Sequence, residues 1–415
     1  MTRNDTHRYL PRLAEQHLSD ILAAQPVAVV MGARQTGKST LIANAPAARG
    51  MLRLTLDDLD TRAQALADPE GVIARADRIA IDEVQRAPDL LIAIKRAVDR
   101  DRRPGRFVLT GSANLLAMKK VQESLSGRAS YVSLWPLTHG ERAGFGRAGQ
   151  WAPLFHTPVT QWRELLESAV GREPADWRDA VRHSHYPPVF VGAMTIDQQA
   201  DWLQGYLETF LARDIVELSA LSKPLDLLRL MRAACTSLGQ QEHQAAWAQT
   251  TGLANSTVSR WTDLLSIAYQ LIRLPAYSVN RTSRLTRKPR LYWSDTAMAM
   301  HLAGYPAPTG AHLENMVLTD LQAWCSSISQ RPVVHHWRTA ATQREVDFVV
   351  ELPTGAVLPI EVKATESPGV SDTAGLRAFI DEYADIAVGG LLLHGGTDII
   401  TLGRGIVAAP WWRVL

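Results

Sequence analysis

The chain has 415 residues, enough for two or three domains at roughly 150 residues each, and its formal charge of +2 is silent about nucleic acid. Only 7 of its 44 basic residues are Lys, so any electrostatic footprint must come from local Arg clusters. Cys235 and Cys325 lack metal-ligand spacing, the N-terminus has no apolar core and no run approaches a membrane span, so a cytoplasmic chain with free thiols and no signal peptide is expected.

From about residue 13 to 143, amphipathic helical stretches alternate with the short apolar strands PVAVVMG, MLRLTLD, RIAIDE and RFVLTGS. That alternation predicts an α/β layer with a parallel sheet. The first strand runs into 28-AVVMGARQTGKSTLI-42, which fits G-x-x-x-x-G-K-[ST] between a strand and a helix. The predicted nucleotide-binding segment is therefore Gly32, Ala33, Arg34, Gln35, Thr36, Gly37, Lys38, Ser39 and Thr40. The glycines let backbone N–H groups curl around phosphates, Lys38 reaches the β/γ oxygens, and Ser39 ligates Mg²⁺ at a positive helix N-terminus.

A later strand, 78-RIAIDEVQ-85, ends in adjacent acids. Asp82 is expected to hold Mg²⁺ through water and Glu83 to orient and deprotonate the attacking water, although paired acids after a strand also serve as caps. The strand beginning at residue 106 ends in Thr110, Ser112 and Asn114, any of which can sense a γ-phosphate; Ser112 is the catalytic candidate. Arg128 in 124-SLSGRAS-130 falls where an arginine finger for a neighbouring subunit would sit, and this predicts self-association. The alternative is a solvated Arg in an Arg-rich chain.

Residues 145–190 are rich in Gly, Pro and Trp and read as a connecting region, followed by a helical stretch over 198–218. The segment 224–300 is mostly helical and ends in the short strands YQLIRLPAYS and RLYWSD, an order that predicts a winged helix. Within it, 245-AAWAQTTGLANSTVSRWTDLL-265 reads as helix, Gly252 turn and second helix. That second helix offers Asn255, Ser256, Thr257 and Arg260 to phosphates and base edges. Arg284, Arg287 and Lys288 in 281-RTSRLTRKPR-290 make a basic wing for a nucleic-acid backbone, so DNA is the expected partner. Protein packing with a solvated basic loop is the alternative use of the same residues.

These motifs, GARQTGKST, LDDLD at 56–60, IAIDEVQRAPDLL, FVLTGSANLL and SLSGRA, resemble a prokaryotic group of AAA-family ATPases with a C-terminal domain of largely uncharacterised function. ETFLARDI at 208–215 and WRTAATQREVDFVVE at 337–351 extend the resemblance over nearly the whole chain. It implies a multidomain α/β protein: an AAA-type P-loop core, a helical winged-helix middle and a restriction-endonuclease-like C-terminal α/β domain. The expected divisions are 1–200, 201–305 and 306–415, with ATP and Mg as cofactors. Arg213 is a weak second arginine sensor, equally explained as an ion pair with Asp214 or Glu217.

The last part carries 345-EVDFVVELPTGAVLPIEVKATE-366, two apolar strands around a Pro-Thr-Gly turn. With Thr354 at its centre, Asp347 falls opposite Glu361 and Phe348 opposite Ile360. Alternation then puts Asp347, Glu361 and Lys363 on one face and Val346, Phe348, Ile360 and Val362 on the other. With Glu314 on a preceding helix, the set looks like the E…D…ExK arrangement of PD-(D/E)XK nucleases, where carboxylates hold Mg or Mn and the Lys steadies a hydroxide. A surface ion pair explains the same residues. The combined expectation is an ATP-hydrolysing AAA-type protein acting on DNA with a nuclease-like domain; the alternative is an ATP-gated DNA- or protein-binding regulator whose nuclease-like domain is inactive.

Overall fold

The computed structural model describes residues 9–111, 124–169, 171–215, 223–280, 282, 284, 287–339, 343–403 and 405–415. The first layer is built on β1 (Val27–Met31), β2 (Leu52–Thr55), β3 (Ile79–Asp82), β4 (Phe107–Thr110) and β5 (Ala129–Ser133). All their pairings are parallel, in the order β2-β3-β4-β1-β5. A parallel sheet is covered on both faces, which is why β1 and β4 read as continuous apolar runs. Alternate residues divide between the faces. Val27, Val29, Met31, Ile81 and Leu109 share one core, and Ala28, Val30, Ala80 and Val108 share the other with α1 (Ala14–Ala24) and α2 (Lys38–Asn44). On the first of these faces lies α3 (Asp89–Arg100), through Leu90, Leu91, Ile94 and Val98. Because β4 lies between β1 and β3, the end of β4 reaches the gap between the phosphate loop and Asp82.

The middle of the chain places α4 (Ile196–Thr209), a π-helical turn over Phe210–Asp214, α5 (Pro224–Thr236), α6 (Gln244–Thr251) and α7 (Asn255–Ile267) around one core. Gly252 closes α6 with φ of 71°, a left-handed value that favours glycine. The buried stripe of α7, Val258, Trp261, Leu264 and Leu265, leaves its N-terminal polar residues outward. An antiparallel pair, β6 (Leu271–Leu274) and β7 (Arg290–Trp293), follows.

The last layer is a mixed sheet, ordered β12-β13-β11-β10-β9-β8, from β8 (Val333–Arg338), β9 (Glu345–Glu351), β10 (Val357–Lys363), β11 (Gly390–His394), β12 (Ile400–Thr401) and β13 (Ile406–Pro410). Helix α8 (Gly310–Ser326) packs on one face, and α9 (Ala374–Glu382) on the other. The β9/β10 hairpin has the register read from the sequence, Phe348 opposite Ile360 and Glu351 opposite Val357. The ladder stops there: at the next step the Asp347 carboxylate takes the Val362 N–H at 2.9 Å. Val346 departs from strict alternation and packs with Val349 and Trp337 rather than with Phe348. The cause is a register shift between His335 and Trp337, since a bulge re-aims side chains across the pleat.

The connecting region takes an unexpected place. Trp151, Leu154, Trp162, Leu166 and Trp177 are buried in one core with Leu313, Phe348, Ile360 and Trp411, so residues 151–181 pack with the C-terminal sheet, whereas Tyr186 and Val189 join the core of the middle helices. Among the described residues no helix is long and apolar enough to cross a membrane.

Candidate functional site

The phosphate loop leaves β1 where the backbone turns sharply. A Cβ at Gly32, φ 153°, would lie 2.2 Å from the Leu134 carbonyl oxygen, and Gly37, φ 92°, starts α2 from the left-handed region. Both positions require glycine for geometry, quite apart from phosphate. Lys38 is buried and donates to the Gly32 carbonyl at 3.1 Å and the Ala33 carbonyl at 2.9 Å. Burial pushes its pKa down, against the pull of Glu83, Asp82 and Asp214. Thr36 is buried with its hydroxyl on the Ala33 carbonyl at 2.9 Å, whereas Gln35, Ser39 and Thr40 are exposed.

Ser39 Oγ donates to Asp82 Oδ2 at 2.7 Å, which unites the helix start with the end of β3. Behind Asp82 stands Thr110, fully buried, whose hydroxyl donates to Asp82 Oδ1 and accepts the Glu83 N–H at 3.1 Å. Thr110 therefore supports the acids from inside the sheet rather than facing a γ-phosphate. Glu83 sits at φ 58°, a costly conformation for a non-glycine residue of the sort that clusters at functional sites. Its carboxylate accepts from the Gln85 side chain.

Lys38, Ser39, Glu83, Gln85, Arg86 and Asp57 line a polar cavity of about 230 Å³. Arg213 and Asp214, from the π-helical turn, complete its wall. Arg34 bonds Asp214 at 2.9 Å, Arg86 bonds Asp57 at 2.7 Å and Arg213 lies 3.8 Å from Asp57, so the phosphate loop is tied to the middle of the chain. On the other side of Gly37 a pocket of about 600 Å³ is lined mainly by Tyr9, Leu10, Leu137, Pro187, Pro188 and Val191. Between them runs buried Arg12, bonded to the Thr36 carbonyl at 2.8 Å, the Trp135 carbonyl at 2.7 Å and Glu141 at 3.0 Å. Ser39 and Asp82 converge as hard oxygen donors, a set that fits Mg²⁺. There the ion would neutralise phosphate charge.

Sequence reasoning missed Arg12 and the bracing role of Thr110. The first carries no motif; the second was legible only if β4 had been placed beside β3. Ser112 lies outside the described residues. Arg128 precedes β5, whose first residue Ala129 pairs with Val27, so it sits at the opposite end of the sheet from its own phosphate loop, roughly 17 Å away along five residues of strand. There it bonds Asp99 at 2.6 and 2.9 Å.

The C-terminal acids are gathered, but in the company of cations. Glu314 lies on α8 beside the Tyr292 hydroxyl at 3.3 Å, Asp347 is 3.3 Å from Arg290, and Glu361 is 2.6 Å from Lys363. Arg290, buried on β7, also reaches Glu345 at 2.6 Å. Burial raises all three carboxyls: Glu314 well above the usual range, Asp347 upward against Arg290, and Glu361 to about 8 with the Asp347 charge adding to it. Among the described residues no three His, Cys, Asp or Glu side chains are disposed to hold a metal. In place of the expected Mg or Mn, Arg290 and Lys363 engage the carboxylates as the side chains stand.

On the expected DNA surface, Asn255, Ser256 and Arg260 are exposed at the start of α7 and Thr257 is half-buried. Arg287 and Lys288 are exposed as well. Arg284 does not join them. It bonds Glu351 at 2.6 Å and lies 4.8 Å from the centre of the Tyr277 ring, so its charge is spent on β9.

Residues 24–143 match a family described as an AAA domain. Residues 174–309 and 309–414 match two domains of unknown function, DUF8612 and DUF4143. Two similar chains are uncharacterized proteins of Mycobacterium tuberculosis and Mycobacterium bovis, each 28% identical and aligned over 97% of this chain and 84% of the relative. Among solved structures, a Walker-type ATPase of Pyrococcus abyssi aligns with 71% of this chain and 98% of its own at 14% identity and a TM-score of 0.42. A signal-transduction ATPase with a tetratricopeptide repeat sensor from Pyrococcus horikoshii aligns with 75% and 46% at 12% identity and a TM-score of 0.24. The chain carries a P-loop ATPase core of the AAA kind, on an α/β layer with a parallel sheet. Such a core takes ATP with Mg²⁺.

Proposed function

We propose that this chain is an ATP-driven protein acting on DNA, organised as an ATPase module, a winged-helix middle and a restriction-endonuclease-like end, with divisions near residues 200 and 305. The observation that carries the reading is the union of Lys38, Ser39 and Glu83 around a cavity, with Asp82 bonded to Ser39 and the wall completed by Arg213 and Asp214 from the middle of the chain. In such a cavity Lys38 holds phosphate oxygens and Glu83 accepts a proton from the attacking water. The pocket lined by Leu10, Pro187 and Val191 would take the base. Arg128, at the far end of the sheet, would serve a neighbouring subunit's nucleotide in an oligomer.

Support for the winged helix comes from the order α5-α6-α7-β6-β7. Support for the nuclease-like build comes from the order α8-β8-β9-β10-α9-β11, with Asp347 and Glu361 on neighbouring strands. A second reading has its own observation. The carboxylates are paired with Arg290 and Lys363, which favours a C-terminal domain that binds without cutting, as in an ATP-gated regulator. The test is to incubate the purified protein with branched, single-stranded and duplex DNA, with Mg²⁺ or Mn²⁺ and with or without ATP, while following ATP turnover. DNA-stimulated turnover supports the main reading. Scission abolished by Asp347→Ala adds nuclease activity, and binding without scission selects the platform. Turnover indifferent to every DNA form, with no DNA bound, defeats both.

A further inference from the structure

The basic stretch before β7 divides into arginines that are spent and cations that are not. Arg284 bonds Glu351, Arg290 bonds Glu345 and Asp347, and nearby Arg273 bonds Glu242 at 2.8 Å and Asp263 at 2.6 Å. Arg287 and Lys288 have no carboxylate within ion-pair distance among the described residues. Among the described residues Arg338, at the end of β8, has none either and bonds the Gln343 side chain. These three cations come from two parts of the chain, yet they line one pocket of about 380 Å³ at the seam where Ala276 bridges His336. A pocket of this size accommodates a small ligand or one nucleotide unit.

Beneath the rim, one buried ring fixes the backbone of Lys288. His336 is 2% exposed, and its Nε2 donates to the Lys288 carbonyl at 3.2 Å, while Nδ1 has no partner. Burial and the adjacent Arg290 charge lower its pKa to about 4, so the ring is neutral and Nδ1 is an acceptor. A buried acceptor left alone is costly. Nδ1 is closed off from the cavity and makes no demand on a ligand, so what the seam offers is its rim, which suits an anion. A phosphodiester supplies that anion, and Arg287 and Lys288 already lie on the expected DNA surface, so a nucleic-acid strand is the occupant that agrees with the reading above.

We propose that this seam pocket holds a phosphodiester of a DNA strand, with Arg287, Lys288 and Arg338 on the phosphate and His336 holding the Lys288 backbone beneath them. The inference rests on the reading that the protein acts on DNA, and it adds a residue, Arg338, to which sequence reasoning assigned no role in binding. The site would fix a strand across the boundary between the middle and the C-terminal sheet, beside Arg290 and the acids it bonds.

The experiment is a salt titration of DNA binding by fluorescence anisotropy on single-stranded and duplex oligonucleotides. It compares the full chain, an Arg287→Ala/Arg338→Ala double variant, Lys288→Glu, and an Asn255→Ala/Ser256→Ala/Arg260→Ala variant of α7. Each lost phosphate contact removes roughly 0.9 from the duplex log–log slope, so the double variant should lose about 1.8 and bind about 30-fold more weakly at about 0.15 M salt. Lys288→Glu, a change at an exposed side chain, should weaken binding at least as much as loss of one contact. Unchanged slopes in both pocket variants, with weakened binding in the α7 variant, would overturn the pocket and leave the DNA reading standing. Absence of DNA binding by the unaltered chain would overturn both. Polyglutamate competing as well as DNA would also overturn the assignment, since the seam would then be a general anionic surface.

Discussion

Thr110→Val is the substitution that most sharply isolates the interior brace of the ATPase site. Valine keeps the shape of a fully buried side chain and removes only the hydroxyl, which donates to Asp82 and accepts from the Glu83 N–H. A hydrogen bond to a charged group contributes about 1.5–3 kcal/mol, and a buried N–H left without a partner costs about 1–3 kcal/mol. Glu83 is held at φ 58°, so part of that cost can be relieved by letting its peptide relax, which moves the carboxylate. If about 2–3 kcal/mol is lost specifically in the transition state, kcat falls roughly 30- to 150-fold, at about 1.4 kcal/mol per tenfold. Nucleotide affinity should change little, because Lys38 and the loop amides are untouched. The assay is steady-state ATP turnover beside equilibrium binding of a fluorescent ATP analogue, with Thr110→Ser as the control that restores the hydroxyl. Wild-type turnover in Thr110→Val, or Thr110→Ser as slow as Thr110→Val, would refute the brace.

Glu83→Gln should bind ATP and hydrolyse it on the order of 10²-fold more slowly or worse, as expected for loss of a water-activating base; normal turnover would remove Glu83 from that role. Arg128→Ala should lower turnover while sparing affinity, and mixing it with Glu83→Gln chains should restore part of the activity at the one intact interface; co-assembled mixtures that stay inactive would place the whole site within one subunit. For pH, Glu361 is raised from the ordinary 4.5 to about 8. Its folded form therefore holds the proton more tightly, and the stability it contributes is complete below about pH 4.5 and lost as pH rises through about 8. Denaturant unfolding across that range should show stability falling with pH, and Glu361→Gln should flatten the fall; an identical profile in the variant would contradict the assignment.

What the sequence made legible was what depends on local pattern. β1, β3 and β4 announce themselves as apolar runs with buried faces, and the Pro-Thr-Gly turn sets the β9/β10 register through Ile360 opposite Phe348. β5 went unread because ASYVS is polar and largely half-exposed at the sheet edge. The residues 145–190 looked like a linker since their Trp side chains follow no period, yet those rings fill a core supplied by strands some 200 residues later. At the sites the same division holds. The loop from Gly32 to Thr40 is contiguous, whereas the Arg12–Thr36, Thr110–Asp82 and Arg290–Asp347 contacts join distant segments through tertiary packing. The basic stretch shows the point within one motif: Arg284 and Arg287 are alike on paper, and only the presence of Glu351 beside one of them tells them apart.

The decisive measurement is ATP turnover by the purified chain with Mg²⁺, taken beside Lys38→Ala. Lys38 is predicted to hold the phosphates from its place under Gly32 and Ala33. The unaltered chain should therefore release phosphate from ATP, and the variant should lose that activity by on the order of 10²-fold or more while keeping its melting transition. Equal turnover by the two proteins, in preparations shown to be folded, would contradict the assignment of the loop after β1 as the ATP-hydrolysing site.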